Sequence, residues 1–140
     1  MNQNVAVSMS ESLVASSTFV MVGSNNIEGY PQIKAMFNME HRGLKEFWLS
    51  TNTSSKRVAQ FQEDPRACLY FSDNEQFQGL MLVGKMEVLH DRASRERLWR
   101  DGCEIYYPLG IDDPDYSVLH FTAESGNFYH QLQNMSFEIG

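Results

Sequence analysis

The sequence predicts a mainly β protein of the α+β class, in which six or seven antiparallel strands form a barrel with short flanking helices. Short runs rich in β-branched and aromatic residues recur along the chain, and most are joined by brief stretches of turn-forming residues. Only two segments carry helical spacing together with helix end signals. Gly84 interrupts the longest predicted strand, as glycine does where barrel strands bend or bulge.

The N-terminal segment differs from the rest of the chain. Residues 1–12 form an N-terminal segment outside the domain, in which residues 1–9 are polar and expected to be irregular and partly disordered. Residues 10–16 are a candidate for the end of a short helix, because Leu13 and Val14 offer apolar surface. A single domain is expected at 13–140, with no repeat and no linker. Its predicted strands cover residues 18–22, 32–39, 45–50, 67–71, 79–89, 116–123 and 127–132.

The second predicted strand has a clear alternation. Ile33, Ala35 and Phe37 alternate with polar residues, among them Lys34. This pattern predicts a half-buried strand in which Lys34 lies on the face opposite the apolar residues. The last two strands are expected to meet at a turn at residues 124–126.

The two predicted helices have recognisable ends. The first, at residues 54–63, ends before Pro65, because the residue preceding a proline is pushed out of the helical region. The second, at residues 92–100, follows Asp91, which is expected to cap it.

Composition excludes several classes of function. A chain of 140 residues is long enough for one domain that buries roughly two-thirds of its unfolded surface. A formal net charge of −7 argues against a nucleic-acid partner, which needs a basic face. The chain has no apolar run of membrane-spanning length, no signal-peptide pattern and only two cysteines, so we expect a cytoplasmic protein without membrane association.

Few residue patterns in the chain can carry chemistry alone. The four histidines are scattered and lack the spacing of a metal site, so no metal is expected. No nucleophile elbow, Walker loop or glycine-rich dinucleotide fingerprint occurs. An enzyme built on this chain would therefore need a cofactor to supply the reactive atom.

The start of the first predicted helix has an unusual charge pattern. Lys56 and Arg57 lie in its first turn, where the helix dipole favours carboxylates instead. Two cations, several hydroxyls and free amide groups at one helix start form a good anion site, and phosphate is its usual occupant. The alternative is an ordinary Ser or Thr cap followed by basic residues that face solvent.

Three motifs bring the chain close to a known family. Residues 29–36 (GYPQIKAM), 47–57 (FWLSTNTSSKR) and 64–67 (DPRA) resemble those of the pyridoxamine 5′-phosphate oxidase superfamily. Later motifs at residues 107–110 (YPLG) and 112–114 (DDP) look like its general stress protein branch. The resemblance implies a split β-barrel that binds flavin mononucleotide (FMN) at a homodimer interface.

The resemblance also implies roles for particular residues. Lys34, Ser55, Lys56 and Arg57 match the positions that hold the flavin phosphate in the family. The partner subunit is expected to complete the site through Trp99 and the loop at residues 106–113. The full set of cofactor-binding residues implied is Lys34, Ala35, Met36, Leu49, Ser50, Thr51, Ser55, Lys56, Arg57, Gln78 and Trp99.

The resemblance implies the cofactor, but it does not imply the substrate. Pyridoxamine-phosphate oxidases carry a C-terminal tryptophan and an arginine-containing segment for the substrate phosphate, whereas here no arginine follows Arg100. We therefore expect an FMN-dependent oxidoreductase that acts on a small redox substrate other than vitamin B6 phosphates. Two alternatives stay open: a non-enzymatic flavin-binding stress module, and a scaffold that binds haem or a deazaflavin.

Overall fold

The computed structural model describes residues 1–140, which form three helices and eight strands. No helix in it combines the length and the apolar content that crossing a bilayer requires. The helices are α1 (Gln3–Ser16), α2 (Lys56–Glu63) and α3 (Arg92–Leu98), and a 3-10 turn follows at Cys103–Ile105. The strands are β1 (Phe19–Asn25), β2 (Pro31–Phe37), β3 (Glu40–Arg42), β4 (Glu46–Asn52), β5 (Arg66–Asp73), β6 (Gln78–Leu89), β7 (Tyr116–His130) and β8 (Gln133–Glu138).

All eight strands belong to one antiparallel sheet that curls into an incomplete barrel. The strand order is β2-β1-β5-β6-β7-β4-β3, and β8 pairs with β7 outside this path. β3 pairs only with the first half of β4, up to Trp48. The second half, Leu49 to Asn52, pairs with β7 alone. β2 comes near β4 on the other side, but no ladder joins them, so the barrel is split there.

Two apolar clusters stabilise this architecture. The larger one fills the barrel with 20 buried residues, including Phe47, Phe71, Phe121 and Phe128. The smaller one joins α3 to β4 and β7 and consists of Trp48, Leu98, Tyr107, Tyr116 and Val118. The fold therefore confirms the predicted class, a mainly antiparallel split barrel with flanking helices.

The expectation that residues 1–9 are irregular is wrong, because α1 begins at Gln3, whereas the helix end suggested at residues 10–16 is the second half of α1. Asn2 caps this helix by accepting a hydrogen bond from the Val5 amide at 2.9 Å. Ala6, Leu13 and Val14 are buried against the barrel core. Packing stabilises the helix here, since small residues and serines give its sequence only a weak apolar stripe.

The C-terminal strands also differ from the prediction. β7 runs without a break through the expected turn at residues 124–126, and the chain reverses instead at Gln131 and Leu132, which both have positive φ. Gly126 serves close packing, because a side chain there would meet the ring of Phe137 in β8. The short β3 and the polar β8 are the strands that the sequence pattern does not predict.

Two local predictions are confirmed. Asp91 caps α3 by accepting a hydrogen bond from the Ser94 amide at 3.0 Å. The pairing of β6 with β7 shifts register between Val83 and Gly84, as a bulge requires. A Cβ atom at Gly84 would overlap the carbonyl oxygen of Thr122.

The apolar alternation in β2 faces away from the core. Lys34 and Met36 pair with the buried Val22 and Val20, so they occupy the inner face. Ile33 on the opposite face is 75% exposed. Neighbouring strands continue this surface, which we call the outer face; it consists of Phe19, Met21, Ile33, Phe37, Tyr70 and Met81, all exposed.

The docking of α1 onto the barrel can be tested by mutation. Leu13→Ala should lower the free energy of unfolding by about 2–5 kcal/mol, because it leaves a cavity in the core. Val5→Ala in the same helix should change it by less than about 0.5 kcal/mol, since Val5 is exposed. Denaturant unfolding measures both values. Equal effects of the two substitutions would contradict the packed position of α1.

Candidate functional site

The split between β2 and β4 contains a cleft of about 220 Å³. One wall is β2 and the residues after it, and the other is the second half of β4. The start of α2, the 3-10 turn and the loop after that turn complete the lining. The lining residues are Lys34, Ala35, Met36, Phe37, Met39, Ser50, Thr51, Asn52, Ser55, Arg57, Cys103, Tyr106 and Tyr107.

The start of α2 is fixed by side-chain hydrogen bonds. Ser55 caps the helix by accepting from the Val58 amide, and its hydroxyl lies 3.3 Å from that of Thr51. Asp115 holds the preceding turn by accepting from the Ser54 amide and the Asn52 side chain, both at 2.8 Å. These bonds, first the one from Asn52, hold the pKa of Asp115 below its usual range. The turn is therefore set in place before any ligand arrives.

The cations of the cleft have no protein partner. Of the 11 Lys and Arg residues, five pair with carboxylates, two donate to backbone carbonyls and Arg95 lies over the ring of Tyr116. The remaining three are Lys34, Lys56 and Arg57, whose side chains make no ion pair or hydrogen bond. Lys34 and Arg57 line the cleft from opposite walls. An anion between them would meet two uncompensated positive charges.

The structure brings most of the predicted site residues together. Seven of them line the cleft: Lys34, Ala35, Met36, Ser50, Thr51, Ser55 and Arg57. Leu49 is fully buried in the barrel core, so only its backbone edge faces the split. Lys56 lines a neighbouring cleft of about 570 Å³ beside the β1–β2 turn.

Two predicted residues lie elsewhere in the chain. Gln78 is the first residue of β6. In the sheet, β1 and β5 lie between β6 and β2, and β7 lies between β6 and β4. Trp99 packs behind the cleft wall, with its ring 6.3 Å from that of Tyr107 and 5.5 Å from that of Tyr116. Neither residue lines the cleft of its own chain.

The loop at residues 106–113 belongs to the cleft of its own chain. From the sequence, this loop is expected to come from a partner subunit. In the structure, Tyr106 and Tyr107 line the same cleft as Lys34 of their own chain. Asp113 shapes this loop by accepting from the Leu109 amide at 3.1 Å and the Asp115 amide at 2.9 Å. An Asp side chain that accepts hydrogen bonds from backbone amides both before and after it in sequence is typical of a loop that folds back on itself.

Four further lining residues are not among the predicted ones: Phe37, Met39, Asn52 and Cys103. Cys103 is a free thiol, as is Cys68. No histidine lines the cleft, and no three His, Cys, Asp or Glu side chains form a group that could hold a metal ion. The cleft therefore offers cations, hydroxyls and aromatic rings to a ligand.

The model of the pyridoxamine 5′-phosphate oxidase family matches residues 10–130. The chain belongs to this family. A solved structure from Clostridium acetobutylicum, described as a protein related to general stress protein 26 of B. subtilis in the pyridoxinephosphate oxidase family, is 58% identical. The match covers 99% of this chain and 97% of that one, with a TM-score of 0.90. The predicted superfamily and its general stress protein branch are thus confirmed.

More distant structures share the fold alone. General stress protein 26 from Bacillus anthracis is 11% identical over 99% of this chain and all of that one, with a TM-score of 0.78. A heme-binding protein from Mycobacterium smegmatis is 17% identical over 95% of this chain and 57% of that one, with a TM-score of 0.76. No curated protein matches the chain.

Two buried tyrosines, Tyr107 and Tyr116, should make the free energy of unfolding fall at alkaline pH. Burial raises the pKa of Tyr107 and of Tyr116 from 10.0 to about 12 each. In the unfolded chain both phenols ionise near the ordinary value, so their contribution to stability is complete below pH 10 and is lost as pH rises towards 12. Urea unfolding at several alkaline pH values should show this fall. Stability that stays constant from pH 10 to 12 would contradict it.

Proposed function

We propose that this member of the pyridoxamine 5′-phosphate oxidase family binds FMN non-covalently in the cleft between β2 and β4. One observation carries the proposal. Four cations make no ion pair or side-chain hydrogen bond. One is Arg95, which lies over the ring of Tyr116; the other three are the cations predicted to hold the phosphate, and two of these line one cleft. Net charge does not explain this, because the chain carries 18 acidic residues against 11 basic ones.

The donors at the α2 end suit a phosphate dianion. Arg57 can donate two parallel hydrogen bonds to phosphate oxygens, while Lys34 supplies a compact charge from the opposite wall. The hydroxyls of Thr51 and Ser55 and the positive end of the α2 dipole lie between them. Lys56 lies in the neighbouring cleft, so we assign it a smaller share.

The rest of the cleft suits a flat ring. Residues 49–52 of β4 pair with β7 on one side only, which leaves backbone donors and acceptors towards the split. Met36, Met39 and Tyr106 supply apolar and aromatic surface. At about 220 Å³, however, the cleft is smaller than the roughly 300–1,000 Å³ of typical ligand sites. One chain therefore provides only part of an FMN site.

A second copy of the chain is the proposed source of the missing wall. The outer face presents six large apolar side chains across four strands, and the charged residues Arg66 and Lys85 follow on the same side of the sheet beyond Tyr70 and Met81. Contiguous apolar surface of this kind is typical of association sites, and in a two-fold symmetric dimer the same face of each subunit meets the other. Phe37 belongs both to the outer face and to the cleft, so an interface there would adjoin the cofactor site.

The proposed activity is that of an oxidoreductase with a small redox substrate. Bound FMN would supply hydride-transfer chemistry, while the protein contributes binding, orientation and exclusion of water. The alternative is a flavin-binding module without turnover. Reduction of the bound flavin by nicotinamide donors separates them, because a flavin that no donor reduces supports the module.

The phosphate assignment can be tested by titration with FMN. Lys34→Ala and Arg57→Ala should each weaken binding by about 1.5–3 kcal/mol, or roughly 10- to 100-fold, because each removes a charged hydrogen bond. Lys85→Ala serves as the control, since Lys85 pairs with Glu124 on the surface. Lys56→Ala should have a smaller effect than Arg57→Ala.

The absorbance spectrum of the complex identifies the cofactor class. Paired bands in the blue and near ultraviolet indicate flavin, whereas a sharp Soret band indicates haem. FMN affinity that survives both Lys34→Ala and Arg57→Ala in the folded protein would rule out the phosphate site.

The dimer can be tested at the outer face. Ile33→Asp should convert a dimer into a 16.1 kDa monomer and weaken FMN binding, because it places a charge in the apolar interface. Leu132→Asp is the matched control, since Leu132 is 86% exposed in the β7–β8 turn and lines neither the cleft nor its neighbour. Light scattering coupled to gel filtration gives the mass. A monomeric unsubstituted protein would contradict the proposal.

A further inference from the structure

Two tyrosines stand side by side behind the cleft, but their hydroxyl groups differ. The rings of Tyr107 and Tyr116 stack with centroids 4.5 Å apart, and both residues are almost completely buried. The Tyr116 hydroxyl donates to the carbonyl oxygen of Arg95 at 2.7 Å. The Tyr107 hydroxyl donates to no protein group, and the hydroxyl of Ser50, which lines the same cleft, can donate to its oxygen. Buried tyrosine hydroxyls usually have a partner.

The Tyr107 hydroxyl is open to the cleft. Only Asn38 Oδ1 and Arg95 Nε are side-chain polar atoms that are both buried and unpartnered. The Tyr107 hydroxyl, whose proton has no acceptor in the protein, is not among them, so it reaches the accessible space of the cleft that its residue lines. Tyr107 thus holds a rigid ring within the apolar cluster and keeps one polar atom available to a ligand.

We propose that Tyr107 is a specificity-determining residue that donates a hydrogen bond to an acceptor on the ring system of the bound flavin. This rests on the proposed function. The acceptor is a carbonyl oxygen or an unprotonated ring nitrogen, since a phenol donates readily to both. The phosphate is bound at the α2 end by Arg57, and the ring end is oriented by Tyr107.

Several features keep Tyr107 in the donor role. Burial raises its pKa to about 12, with only partial opposition from the Ser50 hydroxyl, so the phenol stays protonated at neutral pH. Its backbone amide donates to the Cys103 carbonyl at 3.0 Å, and its carbonyl accepts from the Gly110 amide at 3.0 Å. The phenol is therefore positioned by the fold before a ligand binds, which lowers the entropy cost of the hydrogen bond.

The test compares Tyr107→Phe with Tyr116→Phe, using FMN and riboflavin as probes. Tyr107→Phe should weaken binding of both flavins by the same factor, about 2- to 10-fold, because both carry the ring. It should also shift the absorption bands of the bound flavin, since hydrogen bonds to the ring alter its electronic structure. Tyr116→Phe should leave flavin affinity and the spectrum unchanged in the folded protein. Arg57→Ala, in contrast, should weaken FMN binding much more than riboflavin binding.

A second measurement uses the protein without ligand. Tyr116→Phe should lower the melting temperature, because it removes the hydrogen bond that the Tyr116 hydroxyl donates to the Arg95 carbonyl, which then keeps only the Trp99 amide as a donor. Tyr107→Phe should not lower it. An equal loss of stability in both variants would overturn the proposal, since the Tyr107 hydroxyl would then be bonded inside the protein. Unchanged flavin affinity and spectrum in Tyr107→Phe would also overturn it, while leaving the phosphate site intact. If the unsubstituted protein binds neither flavin, the proposed function fails and this assignment fails with it.

Discussion

The structure depends on an incomplete strand pairing. Glu46 to Trp48 of β4 have neighbours on both sides, whereas Leu49 to Asn52 pair only with β7. A strand edge of this kind normally invites aggregation, because its N–H and C=O groups lack partners. Here β2 stands opposite that edge without closing it, and α2 follows directly after it. The cleft is the space that this unclosed seam leaves, so the site is a consequence of how the barrel ends.

The same seam explains how an acidic protein keeps a cleft with uncompensated cations. Cations elsewhere are neutralised locally, as Arg66 is by Asp64 at 2.7 Å and Arg97 by Glu40 at 2.8 Å. Lys34 and Arg57 lie on strand and helix segments that face each other across the split, and no carboxylate lines the space between them. The local potential is therefore set by a few uncompensated charges and one helix dipole, and the net charge of the chain does not predict it.

The sequence predicted the fold class because strands and their tight turns leave a local pattern, and Gly84 and Asp91 carry local signals for a bulge and a cap. It failed where packing overrides local preference. α1 is stable because Ala6 and Val14 meet the barrel, which no feature of residues 1–12 indicates. The apolar residues of β2 suggested a buried face, yet Ile33 points outwards, because alternation shows that two faces differ and does not show which one meets the core.

The candidate site divides along the same line. Its cationic part could be predicted, since Ser55 and Arg57 lie within one helix start and Lys34 within a motif of the family. Its ring end could not, because Tyr107 reaches the cleft only through a loop that Asp113 folds back and that Tyr116 and Trp99 support from behind. These contacts join residues that are distant in sequence or irregular in spacing. They also make the wall at Tyr107 rigid. The part of the cleft that local sequence predicts least is therefore the part that packing against the core fixes most firmly.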